Sequence, residues 1–145
     1  MATVRDILSK KGCHIWLVGK DATVLQAALL MNEHKIGSLV VMDQDRIAGM
    51  FTERDILQRV VGDQRDPART TVGEVMTQEV VCCAPQTTIE EARLALKERR
   101  IRHMPVIDGE GHLLGMISIG DLNAYEAFSL EQTIFLMDEY IHGRV

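Results

Sequence analysis

The spacing of hydrophobic and polar positions predicts two sets of alternating strands and helices along this chain. Two short apolar runs, HIWLV (14–18) and VVCC (80–83), are typical of strands. Each run is followed by a threonine, Thr23 or Thr88, that suits the N-cap of a helix. The apolar positions that share one face of the two predicted helices are Val24, Ala27, Ala28 and Met31 in the first, and Ile89, Ala92 and Leu96 in the second.

Each predicted helix leads into two further apolar runs that are separated by a polar turn. The first pair is SLVVM (38–42) and RIAGMFT (46–52), and the second is HMPVI (103–107) and HLLGMIS (112–118). Such pairs are typical of antiparallel hairpins. A further helix is predicted directly after each hairpin. The order of elements is therefore β-α-β-β-α, and it occurs twice.

The two sets also match residue by residue, which indicates an internal duplication. The matching positions are 68 residues apart in TVRDILS (3–9) and TVGEVMT (71–77), 65 apart over 24–43, and 66 apart in GMFTERD (49–55) and GMISIGD (115–121). The changes in spacing fall in polar stretches, where insertions are tolerated best. We therefore expect an α/β (α+β) fold of two β-α-β-β-α units packed with pseudo-two-fold symmetry.

The predicted boundaries follow from the polar stretch that separates the two units. The first unit covers 3–61, a linker covers 62–70, the second unit covers 71–127, and a C-terminal amphipathic helix covers 128–145. The apolar seam of this last helix is formed by Leu130, Ile134, Met137 and Ile141. Such a seam needs a covering surface, either the body of the chain or a second subunit, and we expect the second, a homodimer.

Composition and charge narrow the classes of function. The chain has 145 residues, 46% of them hydrophobic, and a formal net charge of −5. That charge disfavours a nucleic-acid binder, and no run reaches the roughly 18 apolar residues of a membrane span. Three cysteines (Cys13, Cys82 and Cys83) without C-x-x-C spacing fit neither a disulfide framework nor a metal site. With no signal peptide visible, we expect a cytoplasmic protein.

The repeated heptapeptide carries the candidate chemistry, because it lies where a strand ends and a helix begins. Thr52 or Ser118 would lie at the helix N-terminus, whose N–H groups favour anionic ligands. Asp55 or Asp121 would lie in the first turn, where a carboxylate can accept hydrogen bonds from the diol of a ribose. The glycine of each copy would let another group approach the strand closely. Together these features favour a nucleoside site, and a plain helix cap is the alternative.

With these motifs in place, the chain resembles a tandem pair of CBS domains, the Bateman module, over roughly residues 3–125. The resemblance rests on the leading segments TVRDILS and TVGEVMT, on EHKIGSLVVMD and ERRIRHMPVID, and on the two G-h-h-[ST]-x-x-D heptapeptides, where h is hydrophobic. It implies adenosine-containing ligands (AMP, ADP, ATP, NAD or S-adenosylmethionine) in clefts between the repeats. It implies the ligand-binding residues Ser38, Thr52, Arg54, Asp55, Val80, Arg102, His103, Met104, Pro105, Ser118 and Asp121.

The two implied sites are not equivalent in charge. Arg102 and His103 precede the strand of the second unit, where the first unit has Gly37 and Ser38. Phosphates would therefore gather near Arg102 and His103, and Arg54 would contribute from the other repeat if the halves pack face to face.

The resemblance implies a regulatory function without catalysis, in which a bound adenine nucleotide changes the conformation that an unidentified partner protein meets. No cofactor or metal is required. An alternative is an interaction or dimerisation module that has no physiological ligand. A nucleotide-hydrolysing enzyme is a further alternative, and the lack of a recognisable general base in the sequence disfavours it.

Overall fold

The computed structural model describes residues 1–12 and 15–141, with side chains up to residue 137. In chain order, its elements are α1 (Val4–Lys11), β1 (Leu17–Gly19), α2 (Val24–His34), β2 (Ser38–Asp43), β3 (Arg46–Thr52), α3 (Glu53–Asp55), a π-helix (Ile56–Val61), α4 (Val72–Val75), α5 (Ile89–Arg99), β4 (His103–Ile107), β5 (Leu113–Ser118) and α6 (Ile119–Ile141). This mixture of helices and small sheets confirms the predicted fold class. None of the helices in the described ranges combines the length and apolarity that crossing a membrane requires.

The helices α2 and α5 begin where the threonines predict. Thr23 Oγ1 accepts a hydrogen bond from Gln26 N over 3.1 Å, and Gln26 Oε1 accepts one from Thr23 N over 2.9 Å. Thr88 Oγ1 likewise accepts a bond from Glu91 N over 3.1 Å. The predicted apolar faces are confirmed: the buried side chains are Val24, Ala27, Met31, Ile89, Ala92 and Leu96, and Ala28 is half-buried.

The strands form one sheet in each unit. In the first unit β1 runs parallel to β2, and β2 runs antiparallel to β3. In the second unit β4 and β5 form an antiparallel pair, which confirms the predicted hairpin around DGEGH. β1 begins at Leu17, later than predicted, and residue 14 of the predicted strand lies outside the described residues.

The strand predicted at VVCC (80–83) is wrong. Only Cys83 pairs with β4 there, through an isolated parallel bridge to Val106. The strand does not form because two backbone N–H donors are missing, one on each side of this pairing. In the first unit the N–H groups of Lys20 and Val40 donate across the β1–β2 pair over 3.1 and 3.2 Å. The residues at the matching positions are Pro85 and Pro105, which have no N–H to donate, so the ladder ends on both sides of the bridge.

Each unit's core is completed by the leading segment of the other unit. α1 buries Val4, Ile7 and Leu8 in one cluster with residues of α5, β4, β5 and α6. α4 buries Val72 and Val75 in a second cluster with residues of α2, β2 and β3. The hydrophobic effect therefore joins the two units through these crossed segments.

Hydrogen bonds at the crossing are reciprocal. Val4 N donates to Thr87 O over 2.8 Å, and Val72 N donates to Ala22 O over 2.8 Å. These four residues are matching positions in the duplicated sequence. Such reciprocity is what the predicted pseudo-two-fold symmetry requires.

The C-terminal helix is longer than expected. The sequence predicted one helix after the second hairpin and a separate helix within 128–145, whereas α6 runs without a break from Ile119 to Ile141. No proline and no glycine lies between Asp121 and Ile141 to end it. Beyond Tyr125 the described side chains, up to Met137, are exposed. Ile141, the last member of the predicted seam, has its side chain outside the described residues.

Candidate functional site

Both heptapeptides form the predicted junction, in which a strand leads directly into a helix. β3 passes into α3 at Thr52, and β5 passes into α6 at Ser118. The start of the neighbouring strand lies beside each junction, since Ser38 pairs with Thr52 and His103 pairs with Ser118. We call the surroundings of Asp55 and of Asp121 the first and second half-sites.

In the first half-site the carboxylate of Asp55 is buried and fully engaged by protein groups. Its Oδ2 accepts hydrogen bonds from Thr52 N over 3.0 Å and from Thr52 Oγ1 over 3.3 Å. Its Oδ1 accepts one from Thr77 Oγ1 over 3.1 Å and lies 3.9 Å from Arg59 Nε. Only 5% of Asp55 is exposed. This carboxylate therefore acts as a helix cap that also fixes the segment containing Thr77.

In the second half-site the carboxylate of Asp121 is more open and forms an ion pair. Oδ2 accepts a hydrogen bond from Ser118 N over 2.9 Å, and Ser118 Oγ accepts one from Asp121 N over 3.0 Å. Lys11 Nζ lies 2.7 Å from the same Oδ2 and donates to Met116 O over 2.8 Å. The Asp121 side chain is 25% exposed, so water and small solutes reach it more readily than Asp55.

Positive charge surrounds Asp121. Burial lowers the pKa of the His103 imidazole, the charge of Asp121 raises it, and the charges of Lys11 and Arg102 lower it further. The net direction is downward, so His103 is mainly neutral at pH 7. These four side chains are close enough to interact electrostatically, with an excess of positive groups.

The other candidate residues are placed less favourably for direct contact with a ligand at either aspartate. Ser38 is buried, Val80 is half-buried, and Arg54 is exposed on α3. Met104 is 1% exposed and packs in the core of the second unit, and Pro105 is buried beside it. Among the described residues, no hydrogen bond joins Arg54 or Val80 to either aspartate. The structure brings together Ser38, Thr52 and Asp55 in the first half-site. In the second it brings together His103, Ser118 and Asp121, and Arg102 O accepts a hydrogen bond from Ile119 N over 3.0 Å beside them.

The glycines of the heptapeptides do permit a close approach, and the approaching group is the protein itself. A Cβ on Gly49 would lie 2.5 Å from Thr77 O and 2.8 Å from Met76 Sδ. A Cβ on Gly115 would lie 2.7 Å from Leu8 Cδ2. The glycines therefore make room for the crossed segments, and the expectation that they belong to a nucleoside site has no support here.

Sequence reasoning missed three residues that contact the aspartates. Arg59 follows Asp55 by one helical turn, a spacing that could have indicated an ion pair. Thr77 occupies the position that matches Ser9, so a hydroxyl recurs there. Lys11 is 110 positions from Asp121, and only the crossing of the leading segments brings the two together.

The two neighbouring cysteines, Cys82 and Cys83, are half-buried. They line a cavity of about 510 Å³ together with parts of α5, Met104 and Asp108. Burial raises the pKa of Cys83 to about 12, with the Cys82 charge adding to the effect. Both thiols are therefore protonated at neutral pH, which disfavours a reactive thiolate.

Comparison with known proteins agrees with this arrangement. The CBS domain family matches the chain twice, at residues 4–62 and 72–127. The CBS domain-containing protein YhcV of Bacillus subtilis is 34% identical over 84% of this chain and 84% of its own length. Hypoxic response protein 1 of Mycobacterium tuberculosis is 33% identical over 84% of this chain and 83% of its own.

Solved structures agree as well. A protein with CBS domains from Burkholderia ambifaria is 44% identical and superposes with a TM-score of 0.80, covering 83% of this chain and 90% of that one. With the family matching most of its length and its fold shared with such structures, this chain belongs to the CBS-domain family and carries two CBS domains in tandem.

Proposed function

We propose that this chain is a regulatory module that binds an adenine nucleotide at the second half-site and transmits the binding through α6. The observation that carries the proposal is the position of Asp121. It is a partly exposed carboxylate in the first turn of a helix whose far end presents apolar side chains to solvent. AMP, ADP, ATP and NAD share the adenosine unit that such a carboxylate would bind through the ribose.

The geometry of the second half-site supports a ligand of this kind. Asp121 can accept hydrogen bonds from a ribose diol, and the N-terminus of α6 and Arg102 favour phosphate. His103 on β4 pairs with Ser118 on β5, three residues before Asp121. In the first half-site a ribose would have to displace Thr77 from a buried carboxylate. We therefore assign the higher affinity to the second half-site.

Transmission requires that the ligand prefer one conformation over another. Ser118 and Asp121 cap α6, and Lys11 joins Asp121 to α1. A ligand that replaces Lys11 at Asp121 changes the contact between these two helices. The population of α6 orientations would shift accordingly, and with it the surface that a partner meets.

Calorimetry tests this proposal. Wild-type protein is titrated with AMP, ADP, ATP and NAD, and the same titrations are made with Asp121→Ala and with Asp45→Ala, an exposed aspartate in the first hairpin as a matched control. Loss of charge-assisted hydrogen bonds should weaken binding to Asp121→Ala by about tenfold to a hundredfold. Asp45→Ala should bind as wild type does. Equal affinity in all three proteins would reject the assignment of the site.

A module that associates through α6 without any ligand is the second candidate. It is favoured by the capping boxes, since both aspartates already have protein partners, and by the exposed apolar side chains of α6. A crystallised relative, the CBS-CP12 protein from bloom-forming cyanobacteria, is 32% identical to this chain and hexameric. Stable association combined with no heat of binding for any adenine nucleotide would favour this candidate.

A further inference from the structure

The two half-sites also differ in the charged side chains beside their aspartates. Arg102 and His103 in the second half-site correspond to Gly37 and Ser38 in the first. A Cβ on Gly37 would lie 3.3 Å from the carboxyl carbon of Glu53, so a carboxylate covers that backbone. The first half-site thus combines Glu53 and the buried Asp55 with Arg59, whose Nε lies 3.9 Å from Asp55 Oδ1, whereas Lys11 and Arg102 lie at the second.

Lys11 adds to this contrast. When the leading segments are aligned on Thr3 and Thr71, Glu79 takes the position of Lys11. This position therefore holds a cation at the end of α1, which packs on the second unit, and an anion in the matching segment after α4.

The position of Lys11 is fixed by the fold. It is the last residue of α1, and α1 is held by Val4, Ile7 and Leu8 in the core of the second unit. From there Nζ reaches Asp121 Oδ2 at 2.7 Å while its side chain stays 34% exposed. The ammonium group can therefore leave Asp121 and stay beside the half-site, since the backbone that carries it is anchored.

We infer that Lys11 makes the second half-site select nucleoside phosphates over uncharged adenosine and over the cationic S-adenosylmethionine. The inference rests on the proposed function and adds the class of ligand. A ribose diol that engages both oxygens of the Asp121 carboxylate competes with Lys11 for Oδ2. With adenosine the ammonium group loses its carboxylate and gains nothing. With a nucleotide it pairs with the phosphate, next to Arg102, and the lost ion pair is replaced.

This exchange predicts opposite effects on two ligands when the lysine charge is removed. In Lys11→Gln the phosphate loses a charged partner, so AMP should bind about tenfold to a hundredfold more weakly. Adenosine loses a competitor for Asp121, so its affinity should stay the same or rise. The ratio of the two affinities is therefore the quantity to measure.

The experiment is calorimetry of wild type, Lys11→Gln, Lys11→Arg and Lys10→Gln with adenosine, AMP and S-adenosylmethionine at one ionic strength. Lys10 is the matched control, because it is the adjacent lysine and its Nζ lies over the Phe128 ring. Lys11→Arg keeps the charge and should keep most of the preference for AMP, and Lys10→Gln should behave as wild type. Thermal melting verifies folding, which a partly exposed ion pair affects little.

The outcomes separate the inference from the proposed function. The inference is supported if the ratio of AMP affinity to adenosine affinity falls in Lys11→Gln and stays near the wild-type value in Lys11→Arg and Lys10→Gln. Binding of AMP by wild type with the same ratio in every variant overturns it and leaves the proposed function standing. Absence of binding of both adenosine and AMP by folded wild type overturns both.

Discussion

Asp55 and Asp121 occupy the same position in the two heptapeptides, and water reaches them to different degrees. The carboxylate of Asp55 holds Thr52 and Thr77 in a buried position, while Asp121 holds Ser118 and a partly exposed lysine. Removing a buried acceptor leaves its donors unsatisfied, whereas an exposed ion pair contributes little to stability. The same residue in the same motif thus has a mainly structural role in one copy.

This difference predicts unequal losses of stability. Asp55→Ala should lower the free energy of unfolding by about 1–3 kcal/mol, because the hydroxyl of Thr77 and the N–H of Thr52 lose a buried acceptor. Asp121→Ala should lower it by about 1 kcal/mol or less, since solvent can replace the lost partners. Urea unfolding of both variants measures the two losses. A larger loss for Asp121→Ala would contradict the reading of Asp55 as a structural cap.

His103 gives stability a dependence on pH with a definite sign. Burial lowers its pKa in the folded protein, with Lys11 and Arg102 adding to the effect and Asp121 opposing it. The unfolded chain therefore binds a proton near pH 6.5 that the folded chain does not. Stability should fall as the pH is lowered from 6.5 toward the folded pKa of His103.

Urea unfolding at pH 7.5, 6.5 and 5.5 measures this dependence. His103→Gln removes the titrating group, so the variant should lose less stability than wild type across that window. Identical pH profiles for the two proteins would show that His103 titrates normally when folded.

At the residue scale the sequence predicted the two strand-to-helix junctions and could not predict the partners of their aspartates. Thr52, Asp55, Ser118 and Asp121 were recognisable because a cap and its acid lie within one turn. The difference between the surroundings of the two aspartates depends on Lys11 and on Thr77. Both come from leading segments distant along the chain, and spacing within a motif carries no information about such contacts.

At the scale of elements, the fit between the strands and the crossed segments depends on two glycines. Thr77 O, which lies 2.5 Å from the Cβ position of Gly49, also accepts a hydrogen bond from Met50 N over 2.9 Å. That oxygen belongs to backbone paired with β3 and has little freedom to move. At Gly115 the nearest atoms belong to the Leu8 side chain, which can change its rotamer.

Alanine at these positions should therefore have unequal effects. Gly49→Ala should cost about 1–3 kcal/mol through overpacking and the broken pairing with β3. Gly115→Ala should cost less, because Leu8 can shift at its methyl end. Urea midpoints of the two variants provide the comparison. A Gly115→Ala loss as large as that of Gly49→Ala would show that the two crossed segments are equally rigid.

Most elements were predictable because α2, α5 and the hairpins each contain their own periodicity and caps. The strand at VVCC failed for a non-local reason. Its apolar composition is compatible with a strand, but the donors needed for pairing are absent at Pro85 and Pro105. The composition of a segment shows whether it is compatible with a strand, whereas strand pairing also depends on the backbone N–H donors of the segment and of its neighbour.

At the scale of the whole molecule, α6 presents more apolar surface than a monomer needs. Leu130, Ile134 and Met137 are 61%, 58% and 57% exposed. These residues lie on the predicted seam, and their exposure supports the proposal that a second copy covers them. The homodimer itself stays a prediction.

A charge on the seam should dissociate such a dimer. Ile134→Asp should shift the sedimentation mass at micromolar concentration from the dimer toward the 16.3 kDa monomer, because burial of an unpaired carboxylate is costly. Gln132→Asp places the same charge on the same helix away from the seam and should leave the dimer intact. Dissociation by both variants, or by neither, would argue against pairing through this seam.

The crossed leading segments have a consequence for how the chain can be divided. The core of the second unit contains Val4, Ile7 and Leu8, so that unit is assembled from two pieces of chain with the first unit between them. A protein truncated to residues 71–127 would lack these three side chains and retain α4, whose natural partner is absent. A single repeat is thus a continuous stretch of sequence that does not contain a complete core.

Before the duplication, a single ancestral repeat would also have lacked a leading helix from a second repeat to complete its core. Its only source of a complementary α1 was another molecule, so two identical chains exchanging their N-terminal segments could have built the arrangement that one chain now builds alone. Cleavage within the predicted linker 62–70 should then leave two fragments that remain associated, each supplying the other's missing helix.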